Sequence, residues 1–169
     1  MLVTAILAWL HIASAVMWLG GGILLGLVIA PALEKLSPSS SGEFFVKVVP
    51  RVSMFFRIVA GTTILFGVLL LFQLGNWRFP PFSLDGSGTY GPAIMIGLSF
   101  GLAAFLNSEF VAQPPLRKAM KIIKEMQSSS QHQPPPELPK TIRRASITAK
   151  ITLALLVLAL VFMVSAGFY

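Results

Sequence analysis

The chain has 169 residues, 55% of them hydrophobic and 11% charged, with a mean hydropathy of +0.80; this composition excludes an ordinary soluble domain and points to a polytopic membrane protein. Thirteen Lys and Arg against six Asp and Glu give a net charge of +7, but the cations fall in loops between apolar runs, which argues against nucleic acid as a partner. Without cysteine there can be no disulfide, thiolate zinc, iron–sulfur cluster or covalently attached c-type haem, so any metal chemistry rests on His, Met, carboxylate or backbone.

The first apolar run, residues 2–30, carries one ionisable side chain, His11, followed by Trp18, Gly20, Gly21 and Gly22. About 20 apolar residues cross the hydrocarbon of a bilayer, so this run predicts a membrane helix with an imidazole placed inside it. Ala13-Ser14-Ala15 looks like a signal-peptide cleavage site, yet the run lacks a basic start and stays apolar beyond it, which predicts a retained helix. Pro31 and the stretch Ser37-Pro38-Ser39-Ser40-Ser41-Gly42 should end it. Residues 52–74 predict a second spanning helix. The loop that follows holds Asn76, Trp77, Arg78, Pro80, Pro81, Asp85, Gly86 and Tyr90, with aromatics suited to the headgroup level.

A third helix is predicted over residues 92–112 and a fourth over 147–168. Between them, residues 113–146 read as a basic amphipathic helix followed by a Pro/Ser/Gln linker. Leu116, Ala119, Met120 and Ile123 share one face, whereas Arg117, Lys118, Lys121 and Lys124 lie elsewhere, a pattern expected of a helix lying on the membrane surface and contacting anionic lipids. The stretch from Ser128 to Pro139, with His132 between two glutamines and three consecutive prolines, predicts an extended linker. Loops one and three carry nearly all the loop cations, so they should face the cytoplasm and both termini the outside. The expectation is a single all-α domain over 1–169, a four-transmembrane-helix bundle in a prokaryotic plasma membrane or an equivalent energy-transducing membrane.

Depth sorts the polar residues into two groups. Near the cytoplasmic side lie Arg57, Asn107, Glu109 and Lys150, which read as a structural ion-paired cluster with Arg57 and Glu109 the natural partners. Near the outer side His11 shares a depth with Met95 and Met163, while Ser14, Trp18 and Gly22 continue its helical stripe. Imidazole with thioether is a ligand set for haem iron and for copper; equally, methionines fill apolar cores and a histidine can donate to a carbonyl one helix away. No phosphate-cradling loop, nucleophilic triad, pair of catalytic carboxylates or HExxH helix is present, so a hydrolase or kinase would have nothing to work with, and whether the chain is an independent enzyme is left open.

The segment His11-Ile-Ala-Ser-Ala-Val-Met-Trp18-Leu-Gly20-Gly21 resembles the first helix of the copper-resistance D (CopD)-like membrane domains. Arg51 to Arg57, Phe105-Leu106-Asn107 and Arg143-Arg144-Ala145-Ser146 are similar to the membrane domain of the integral-membrane urate oxidase family, and a more distant likeness is to HemJ-type protoporphyrinogen oxidase. The resemblance implies a compact helix bundle that binds a redox cofactor, haem b or copper, through His11 near the outer leaflet, with Trp18, Met95 and Met163 around it, for electron transfer or metal handling. No second intramembrane histidine is present, so another axial ligand would be Met95, Met163, water or a neighbouring subunit. The alternative expectation is a cofactor-free accessory subunit of a larger respiratory, photosynthetic or transport complex; either way a homo-oligomer or larger membrane assembly is implied.

Overall fold

The computed structural model describes residues 1–75, 90–129 and 134–166, and all the regular structure among them is helical. Helix α1 covers Leu2–Leu24 and continues through a π-turn, Leu25–Ile29, into α2, Ala30–Glu34. After a short turn come α3, Pro38–Lys47, and α4, Val49–Leu74. Helix α5, Tyr90–Leu106, passes through a second π-turn, Asn107–Ala112, into α6, Gln113–Ser128. Helix α7, Glu137–Ser165, closes the described chain. Four helical stretches are long and apolar enough to cross a membrane. Their outward faces bear large apolar side chains such as Trp9, 77% exposed, and Phe110, 70% exposed. In water such a surface would drive aggregation; in a bilayer it is the solvated surface of an integral membrane protein.

The spanning helices run up and down. His11 meets Thr63 and Gly67 while Gly21 meets Phe56, so α1 and α4 are antiparallel; Gly97 meets Met163 while Asn107 meets Thr152, so α5 and α7 are too. Glycines set these approaches. A Cβ added at Gly21 would stand 2.9 Å from the Phe56 ring, and one at Gly97 would stand 2.7 Å from Met163 Cγ, so each glycine admits a large side chain from the facing helix. The two hairpins join around Trp18, 3% exposed, which clusters with Ala60, Ala104 and Leu156, one residue from each of the other spanning helices. A large ring against two alanines and a leucine fills the axis of the bundle.

Three boundaries differ from those expected of the sequence. Pro31 does not end the first helix, because the π-turn before it bonds Ala30 N–H to the Leu25 carbonyl, five residues back. The widened turn relieves the clash between a proline ring and the preceding carbonyls, and the helix runs on to Glu34. The same device precedes Pro114 and Pro115, where Gln113 N–H bonds the Ser108 carbonyl. Helix α7 begins at Glu137, ten residues before the apolar run that marks the fourth span. The amphipathic segment is a continuation of α5, and part of its apolar face is covered by protein: Ala119 and Ile123 pack with Leu138, Phe45, Val46 and Ile142. That second small core covers Ala119 and Ile123, two of the four residues on the helix's apolar face. Helix α3 supplies its floor, with Gly42 admitting Ile123 and Gln127, and Ser37 caps its N-terminus by accepting from Ser40 N–H at 3.2 Å. The expected aromatic loop, with Trp77 and Arg78, and the part of the linker holding His132 lie outside the described residues.

Candidate functional site

His11 sits in the seam between α1 and α4. Its Nδ1 is 2.9 Å from the backbone carbonyl of Thr63, and since a carbonyl only accepts, Nδ1 carries the proton. The ring lies against Gly67, where an added Cβ would stand 2.8 Å from Cε1 and 2.9 Å from Nδ1. The imidazole is thus held at one edge by a hydrogen bond and on one side by the only residue small enough to admit it. In the neutral ring this leaves Nε2 unprotonated, with its lone pair directed away from the carbonyl. Nε2 makes no hydrogen bond among the described residues, and the residue as a whole is half-buried. Ser14, one turn below, donates to the carbonyls of Leu10 at 2.7 Å and His11 at 3.1 Å and is spent within its own helix.

The other residues picked out beside His11 occupy different interfaces. Trp18 is at the four-helix centre, packed among Ala60, Ala104 and Leu156. Met163 packs on Gly97 between α5 and α7. Met95 is half-buried on α5, its carbonyl accepting from Ser99 Oγ at 2.8 Å. Thr63 and Gly67 complete the His11 seat; their signal in the sequence is depth, since an antiparallel neighbour of His11 must present α4 residues from this part of the helix. A neutral imidazole with Nδ1 tied to a carbonyl and Nε2 open is the arrangement in which histidine ligates haem iron or copper. On donor chemistry His11 therefore fits one ligand position of either, at the flank of the α1–α4 pair. No group of three His, Cys, Asp or Glu side chains converges among the described residues.

Toward the opposite end Arg57, Asn107 and Glu109 form two links between helices, and Lys150 stands apart from them. Arg57 Nε donates to Glu109 Oε2 at 2.9 Å, joining α4 to the second π-turn, with side chains 45% and 16% exposed. Asn107, on the same π-turn, donates to the Thr148 carbonyl at 2.9 Å and to Thr152 Oγ1 at 2.8 Å, joining it to α7. Lys150 lies between those threonines in sequence and so on another face of α7; it is exposed and forms no ion pair among the described residues. Arg57, Glu109 and Asn107 thus tie three of the four spanning stretches at one level. Comparison with models of known protein families, with curated proteins and with solved structures finds no match to this chain.

Proposed function

We propose that this protein is a CopD-like membrane protein in which His11 Nε2 ligates a redox cofactor, haem b ahead of copper, for electron transfer or metal handling. The observation that carries the reading is the Nδ1–Thr63 hydrogen bond, which selects the ligating tautomer and leaves Nε2 without a hydrogen bond among the described residues. Haem is preferred because copper needs a second soft donor beside the imidazole, and Met163 is packed on Gly97 in the other hairpin. When bound, haem would supply one-electron transfer. The chain's own part is to hold the imidazole in one orientation through Thr63 and Gly67 and to surround it with low-dielectric helix and lipid.

A second reading, a cofactor-free accessory subunit, draws support from the outer face of α1. Gly20 is exposed, and both it and Gly26 have open space where a Cβ would stand, which lets a helix of a larger complex approach closely. In that case the Thr63 bond serves only to satisfy His11. An oxidised-minus-reduced optical spectrum with metal analysis of the purified protein and of His11→Ala separates the two. A haem band present in the parent and lost in a variant that still folds supports the cofactor reading. Colourless, metal-free protein whose His11→Ala variant assembles normally overturns it.

A further inference from the structure

We propose that the groove between the proline turn of α6 and the start of α7 is a binding site for one anionic phospholipid. The groove encloses about 550 Å³ and is lined by Phe110, Val111, Pro114 and Lys118 from the second π-turn and α6 and by Lys140 and Arg144 from α7. A second hollow of about 390 Å³ shares Lys140 and Arg144 with it and adds Arg143 and Ile147. The two chemistries are ordered along the helices. On α7 the cations Lys140, Arg143 and Arg144 come first and the apolar run begins at Ile147; on the facing helix Phe110 and Val111 precede Pro114 and Lys118. Because those two stretches run antiparallel, the apolar residues lie together toward the bilayer and the cations lie together beyond its edge.

Charge complementarity identifies the occupant. Lys118 is paired with Glu137 at 2.6 Å, but Lys140, Arg143 and Arg144 form no ion pair among the described residues. Arg143 and Arg144 with Lys140, whose charge is offset only by the nearby Glu137 that Lys118 already holds, attract a phosphate at the membrane boundary, and an arginine can hold one through two parallel N–H donors. A free phosphate would leave the apolar half of the groove without purpose: Phe110, Val111 and Ile147 are all exposed there. An amphiphile satisfies both halves, its phosphate on the arginines and its acyl chain along Phe110 and Ile147. The site lies at the other end of the bundle from His11 and is independent of any cofactor there.

The test is native mass spectrometry of the full-length protein in neutral detergent, titrated with phosphatidylglycerol or with phosphatidylcholine of the same chains. One phosphatidylglycerol should bind about tenfold or more tightly than phosphatidylcholine. The variant Lys140→Gln/Arg143→Gln/Arg144→Gln should lose that preference, whereas Lys35→Gln/Lys121→Gln/Lys124→Gln, which removes equal charge elsewhere, should keep it. Should the first variant fail to fold by thermal melt, Arg144→Gln alone should still lower the preference severalfold. Phe110→Ser should weaken phosphatidylglycerol binding as well. Equal loss in both triple variants would reduce the site to diffuse surface charge and overturn the proposal. So would displacement of the lipid by equimolar inorganic phosphate, which would mark a site for a small anion.

Discussion

His11 and Gly67 form a matched pair at the level of single residues. The histidine needs an acceptor and a flat place to lie; Thr63 offers the carbonyl and Gly67 the space. Gly67→Ala should push the imidazole off its seat, destabilising the protein by about 1–3 kcal/mol; a thermal melt in detergent reads the loss, and a shifted optical spectrum would follow if His11 is a ligand. Trp18 tests the axis of the bundle instead. At 3% exposure among residues from three other helices, Trp18→Ala should cost about 3–5 kcal/mol, and a melt close to that of the parent would show that the centre tolerates a void.

At the level of elements, the two π-turns explain how long helices run on through Pro31 and through Pro114 and Pro115. Each turn sits just before a proline and lets the helix pass through it, and the second also carries Asn107 and Glu109, the residues that bond to α7 and α4. Arg57→Leu would leave the Glu109 carboxylate without its partner. Because the arginine is 45% exposed, solvent and snorkelling soften the loss to about 1–2 kcal/mol, and exchange of the two charges in Arg57→Glu/Glu109→Arg should recover part of it. The exposed Lys47–Glu43 and Lys118–Glu137 pairs should matter little to the melt. The α3–α6–α7 core is expected to behave as a separate element: Leu138→Ala should raise hydrogen exchange across residues 113–128 while the His11 end keeps its protection. Uniform deprotection of the whole chain would show that the two cores are one.

The whole molecule is an up-and-down bundle whose connections at one end carry the cations and whose other end carries the N-terminus and the end of α7. The charge bias predicts that the basic end faces the cytoplasm. A chain free of cysteine makes this direct to measure: a membrane-impermeant maleimide applied to intact cells should label Leu2→Cys and leave Lys35→Cys and Lys124→Cys unlabelled until the cells are opened. The reverse pattern would invert the topology. Either result bears on the lipid groove, since it decides which leaflet supplies the anionic headgroup.

Four apolar runs and their order were legible from residue counts, because hydrocarbon demands an uninterrupted length of satisfied backbone and little else does. Depth was legible for the same reason: counting along antiparallel helices puts Arg57 level with Glu109 and His11 level with Met163. Direction around each helix was not. A run that is apolar on every side gives no period by which to choose the inward face, so the sequence could not tell that His11 turns to Thr63 and Gly67, that Met163 turns to Gly97, or that Lys150 turns outward from Asn107 and its threonine partners. The amphipathic face of α6 did show its period, yet period alone does not name the apolar surface that covers it. Tertiary structure decided what meets Ala119 and Ile123 there, because α3 and the early start of α7 bring Phe45, Val46 and Leu138 over them.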